Sequence, residues 1–263
     1  MATPARKATE GKPQSAGPAP KPARDYWFFA TRPLHVFVFL MPLLILYELG
    51  TIFFLRRAGA VEVIRAKLML AEAFDALGPV GMHLPPFLLA GVLLAWHVIS
   101  HDRWRLEPGV LPKMAGESLL WTVPLLVFGA IAGSRAMMAI ASGQAPTELS
   151  TGAKVTLSIG AGVYEELLFR LILITVVHLV LVDLLKVKDA AALVIGAILS
   201  AAAFTLYHRT TMAPGAWDTR TLVMYAAAGL YFAVLFILRG LGIAVATHAL
   251  YDTVALLLLP GRD

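Results

Sequence analysis

Residues 154–182 read KVTLSIGAGVYEELLFRLILITVVHLVLV. The stretch is longer and more apolar than the ~20 residues that cross a bilayer core as a helix. Yet Glu165, Glu166 and Arg170 lie within it. An ionisable group at mid-membrane costs ~2.5–3.5 kcal/mol even on the lenient insertion scale, so such groups pair with one another or line a wet cavity. As one helix the stretch would be about 43 Å long at the standard rise per residue. A hydrocarbon core is ~30 Å thick. The helix must therefore tilt, protrude or break near Gly160-Ala161-Gly162.

The rest of the chain fits a membrane setting. Of 263 residues, 59% are hydrophobic and 15% charged, against a usual ~45–50% and ~25%. A mean hydropathy of +0.75 leaves too little polar surface to cover a soluble globule. Further apolar segments fall at 34–55, 85–101, 117–140, 190–208, 221–238 and 240–259. The expected fold is all-α, a polytopic membrane helix bundle with seven spans, or eight as the main alternative. Residues 60–77 space Val61, Ile64, Leu68, Ala71 and Phe74 as one apolar helix face, which predicts an amphipathic helix at the interface. Pro42 and Pro124 are expected to kink their spans. Gly229, Gly240 and Gly242 are expected to allow close helix packing.

Residues 1–24, rich in Pro, Ala, Gly and Lys, read as a disordered basic tail, and residues 25–263 as a single transmembrane domain. A signal peptide is not expected, because the apolar run after the tail is too long for one. Tyr26, Trp27, Phe28 and Phe29 form the aromatic cluster of a chain meeting the interface. Residues 1–34 carry net +4 of the total +5, so the basic character is a property of the tail and does not point to nucleic acid. With the N-terminus inside, the inside segments hold 12 Lys/Arg and the outside ones 8. This bias predicts a cytoplasmic N-terminus. No internal repeat is visible, which counts against the repeat-built transporters. The absence of cysteine excludes disulfides, thiol catalysis and Cys-ligated zinc.

Three clusters of polar residues stand out in the C-terminal half. In Glu165-Glu166-Leu167-Leu168-Phe169-Arg170, Glu166 and Arg170 share a helix face at i,i+4. Arg170 can hold Glu166 ionised, while Glu165, rotated by about 100°, suits a general base. Phe204 and His208 share a face at the end of the 190–208 segment. His248 and Asp252 are i,i+4 inside the last one. The bland readings are a helix-packing ion pair with a spare carboxylate, an interfacial histidine, and a hydrogen bond that locks packing. Outside these clusters, His97 and His101 have a spacing that can bind metal, but their charged helix end reads better as a solvated interface. Glu48 is either a site residue or a partner for a neighbouring helix. Arg135 and His178 have no assigned role.

Glu-Glu-x-x-x-Arg, Phe-x-x-x-His and His-x-x-x-Asp, in that order on successive apolar segments, resemble the CPBP family. These are the CAAX proteases and bacteriocin-processing enzymes, also called Abi. The resemblance covers roughly residues 115–259. It implies an intramembrane glutamic endopeptidase, and no cofactor or metal is assigned to it. Glu165 and His208 would activate a water, Glu166 and Arg170 would orient the site, and His248 with residue 252 would stabilise the oxyanion. The better-understood members have Asn at that last position. Asp252 donates only if protonated, so its expected part is to fix the tautomer of His248, with that ring as the donor. The implied partners are membrane lipid and a membrane-associated or lipidated peptide substrate. Two rival readings remain: a zinc peptidase built on His208, His248 and a Glu, and a carrier or scaffold without enzymatic activity.

Overall fold

The computed structural model describes residues 25–55, 65–74, 84–132, 149–211 and 219–258. The 1–24 tail, Arg135 and parts of the 60–77 and 117–140 segments lie outside the described residues. Among the described residues, eight helices follow in order. They are α1 (Tyr26–Ala30), α2 (Pro33–Gly50, continued by a wide π turn Thr51–Leu55), α3 (Arg65–Glu72), α4 (Leu84–Ile99) and α5 (Val110–Ala132). Then come α6 (Thr151–Leu184), α7 (Asp189–Thr211) and α8 (Thr219–Leu258). The chain is an all-α membrane bundle. Five helices, α2 and α5 to α8, are long and apolar enough to cross a membrane, and α4 is a shorter apolar one. Bulky apolar side chains face outward, among them Leu120 at 72% exposure and Ile131 at 78%, which suits acyl chains and not water. Helices α2 and α5 continue through Pro42 and Pro124.

Two expected segments, 221–238 and 240–259, are the arms of α8. Gly240 divides them, with φ 79° and ψ 176°. The rings of Phe232 and His248 stack at 4.5 Å. Sixteen residues of straight helix would hold them about 24 Å apart, so the arms fold back on each other. Gly240 is therefore more than a packing glycine: a positive φ is a conformation that L side chains rarely adopt. Beside the turn, Glu117 of α5 takes a two-pronged ion pair from Arg239, with Arg239 Nη2 at 2.8 Å. Glu117 also accepts from the Tyr26 hydroxyl and from Trp121 Nε1 at 3.0 Å. This staple ties the α8 turn to α5 and α1.

Helix α6 does not break at its glycines. Ser150 caps its start by accepting from Ala153 N, and regular α geometry persists from Thr151 to Glu165. From Glu166 to Ile174 the turns widen to π geometry. The glycines permit close approach instead: a Cβ on Gly162 would lie 2.8 Å from Ala249 N and 2.9 Å from Val245 O. Helix α3 also differs from expectation. It buries Ala66, Lys67, Leu70 and Ala71, and leaves Leu68 37% exposed. Of the expected face, Ala71 is buried and Leu68 is not, while Lys67 turns inward and pairs with the half-exposed Glu48 at 3.1 Å.

Gly162→Ala forces backbone apart and is expected to destabilise the purified protein by about 1–3 kcal/mol. Gly91→Ala, whose Cβ would meet nothing within 4 Å, should be near neutral. Thermal melts of the two variants in one detergent check the contrast.

Candidate active site

The six residues singled out in the sequence converge. Glu165, Glu166 and Arg170 come from α6, His208 from α7, and His248 and Asp252 from the second arm of α8. All are buried, with Glu166 and Arg170 at 0% exposure. Arg170 Nε lies 3.2 Å from Glu166 Oε2, and Arg170 Nη2 donates to the Gly229 carbonyl at 3.3 Å. The guanidinium also sits 4.5 Å from the Phe204 ring centroid and 5.6 Å from that of Phe232. A cation shut off from water is held by carboxylate, carbonyl and aromatic faces together.

The histidines differ in what their rings touch. His208 Nδ1 donates to the Phe204 carbonyl at 2.9 Å. That bond sets the tautomer and leaves Nε2 as an acceptor, 3.7 Å from Glu165 Oε2. His248 Nδ1 donates to Glu166 Oε1 at 2.8 Å. Its Nε2 lies 3.9 Å from Glu165 Oε2 and 3.5 Å from Asp252 Oδ2. The tautomer-fixing contact expected of Asp252 therefore belongs to Glu166, because the α8 turn brings His248 Nδ1 onto α6. Asp252 faces the other edge of the ring.

The adjacent carboxylates occupy different surroundings. Glu166 is taken up by Arg170 and His248. Glu165 Oε2 has no hydrogen-bond partner among the described residues, and both His Nε2 atoms lie within 4 Å of it. A water 2.8 Å from both Glu165 Oε2 and His208 Nε2 is geometrically allowed across a 3.7 Å gap. Among the described residues, no group of three or more His, Asp or Glu side chains is arranged to hold a metal ion.

Several supporting residues were not singled out from the sequence. Tyr225 stacks on His208 at 4.3 Å, and Phe232 stacks on His248 at 4.5 Å. They are seven residues apart on the first arm of α8, two helical turns on one face, and that spacing was the available signal. The Tyr207 hydroxyl lies beside Glu165 and accepts from Ala66 N at 3.1 Å, so α3 bears on the site. Tyr164, next to Glu165 in the chain, donates to Glu48 at 3.3 Å. Glu48 thus proves to be a helix-linking partner. Of the other residues noted, His178 pairs with Asp189 at 2.6 Å at the α6–α7 turn. His97 and His101 do not form a pair on one helix face, because α4 ends at Ile99 and His101 follows with φ 50°. His97 is buried instead of solvated.

The comparisons with known proteins add one finding. Residues 148–254 match the family model of type II CAAX prenyl endopeptidase, Rce1-like. The matched stretch is about two fifths of the chain and contains all six residues above. No curated protein and no solved structure gives a significant match. Together with the apolar helices, the Rce1-like match supports an integral membrane protein with CAAX-type endopeptidase activity.

Arg170→Met leaves a buried carboxylate without its cation and is expected to cost about 3–5 kcal/mol of stability. Adding Glu166→Gln should recover part of that loss. Melting curves of wild type, both single variants and the double variant measure the coupling.

Proposed function

We propose that the chain is an intramembrane glutamate-dependent endopeptidase, hydrolysing a peptide bond of a membrane-associated or lipidated substrate. The observation that carries this reading is the unpartnered Glu165 Oε2 facing the Nε2 atoms of His208 and His248. A water held there donates one hydrogen to Glu165 and the other to His208 Nε2, and its lone pair is left for the scissile carbonyl carbon. Glu165 takes the proton as the C–O bond forms. The oxyanion receives a hydrogen bond from His248 Nε2 with both ring nitrogens protonated, Asp252 lying at that edge as a counter-charge. Collapse of the tetrahedral intermediate expels the amine, which leaves with the proton from Glu165. Glu166 and Arg170 act by holding His248 and the site frame, and Tyr207 positions Glu165.

A lipidated substrate suits the surroundings. Helices α2, α5, α6 and α8 enclose an apolar groove of about 570 Å³, lined by Val38, Phe39, Ile159, Ala246 and Ala249 among others. Ala249 neighbours His248 in the chain, so the groove runs along the next face of the helix that carries the oxyanion donor. The charge bias supports a cytoplasmic N-terminus and, in a bacterial host, residence in the inner membrane.

With purified protein in lipid and a lipidated fluorogenic peptide, Glu165→Gln and His208→Ala should each lower cleavage by at least about 10²-fold, the lower end of the general-base contribution. Both variants should melt near wild type. Full activity in Glu165→Gln would remove the proposed base. Tyr207→Phe removes the phenol proposed to hydrogen-bond Glu165, and a bond to a charged group is worth about 1.5–3 kcal/mol, so kcat should fall roughly 10- to 100-fold. Steady-state kinetics on the same peptide reads this out.

A further inference from the structure

A second polar cavity, of about 640 Å³, lies at the other end of the bundle from α3, where α1, the start of α2, the end of α4 and the start of α5 meet. Two buried histidines line it: His35 at 2% exposure and His97 at 1%. Glu107 N donates to His35 Nε2 at 3.0 Å. That nitrogen is therefore the acceptor, and the neutral ring carries its proton on Nδ1. His35 Nδ1 has no hydrogen-bond partner among the described residues, and neither has either ring nitrogen of His97. Buried polar atoms left unpaired are costly, and natural proteins seldom keep three of them together without something to bind.

The charges around the cavity favour an anion. Arg32 is paired with Asp102 at 3.2 Å and Arg105 with Glu107 at 3.0 Å. The Asp25 carboxylate accepts from Phe28 N. Arg103 and Lys113 also line the cavity and have no ion-pair partner among the described residues. Leu34 and His35, in the N-terminal turn of the 18-residue α2, line it as well, adding the positive end of a helix dipole. Four cations against the carboxylates of Asp25, Asp102 and Glu107 leave one net positive charge, to which a helix N-terminus and an imidazole N–H add. A metal ion is a poor match, since no third ligand joins the two histidines among the described residues.

The surroundings suit a lipid headgroup. Trp27 and Trp104, 58% and 67% exposed, flank the cavity as interfacial aromatics do, and Arg32 lies over the Phe28 ring at 4.0 Å. We propose that this cavity binds a phosphate group, with His35 Nδ1–H, His97, Arg103 and Lys113 as its donors. The phosphate is that of an anionic phospholipid or free phosphate. The site is separate from Glu165 and does not depend on the proposed peptidase activity.

The test uses the full chain, purified in a neutral detergent. Native mass spectrometry follows titration with phosphatidylglycerol, and a thermal-shift titration uses inorganic phosphate. The expected result is one saturable adduct or shift. It should weaken at least tenfold in Arg103→Gln/Lys113→Gln, whose side chains are exposed and have no ion-pair partner among the described residues, and in His97→Phe, which keeps a ring against Trp104. Retention of the lipid that millimolar phosphate does not displace identifies a headgroup. Saturable stabilisation by phosphate alone identifies the free anion. No saturable binding of either probe to wild type, or unchanged binding in both variants, overturns the proposal.

Discussion

The site is organised around a guanidinium with no exposed surface. Arg170 lies among aromatic rings in an apolar bundle, and one carboxylate, one carbonyl and the faces of Phe204 and Phe232 replace the water it gave up. Each substitute comes from a different place: Glu166 one wide turn back along α6, Phe204 from α7, Gly229 and Phe232 from α8. Desolvating a charge is so costly that the helices carrying these groups are constrained to stay together. The same packing presents His208 and His248 to Glu165. Phe204 is the link, since its ring lies under Arg170 while its carbonyl sets the tautomer of His208.

The hairpin in α8 is the second constraint. Straightened, that helix would carry Asp252 and His248 far past α6. With Gly240 turned, the second arm returns against α6 closely enough that only a hydrogen fits at Gly162. The Glu117–Arg239 staple holds the turn from outside. A charged pair beside the turn thus fixes how far along α6 His248 falls, and hence which acid it meets. That acid is Glu166, through Nδ1.

Much of this was legible from residue spacing. Apolar runs located each long helix, and i,i+4 arithmetic found Glu166–Arg170 and placed His248 with Asp252. What spacing could not reach were contacts set by tertiary packing. Glu166 and His248 are 82 residues apart, and Glu117 and Arg239 are 122 apart. No periodicity on one helix predicts them. The glycines of 160–162 left a break open among the alternatives, because glycine signals both flexibility and close approach, and only the neighbouring helix distinguishes the two. The buried face of α3 was misread at Leu68, because nothing along one helix shows that a carboxylate and two tyrosine rings receive Lys67.

That last misreading bears on how two neighbouring glutamates come to differ. Glu166 is held on one side by Arg170 and on the other by His248. Glu165 has the Tyr207 phenol beside it, and that phenol is in turn held by the backbone of α3. Helix α3 is itself pinned by Lys67 to Glu48, and Glu48 accepts from Tyr164, the residue before Glu165. The chain of contacts begins and ends at one stretch of α6. A carboxylate meant to accept a proton from water must keep one oxygen unpaired and still not wander. A neutral phenol achieves that where a second arginine would not, since a full counter-charge would tie up the oxygen that has to react. The contrast between a guanidinium on Glu166 and a phenol beside Glu165 therefore separates the acid locked into the packing from the one proposed to react, in a pair that the sequence presents as twins.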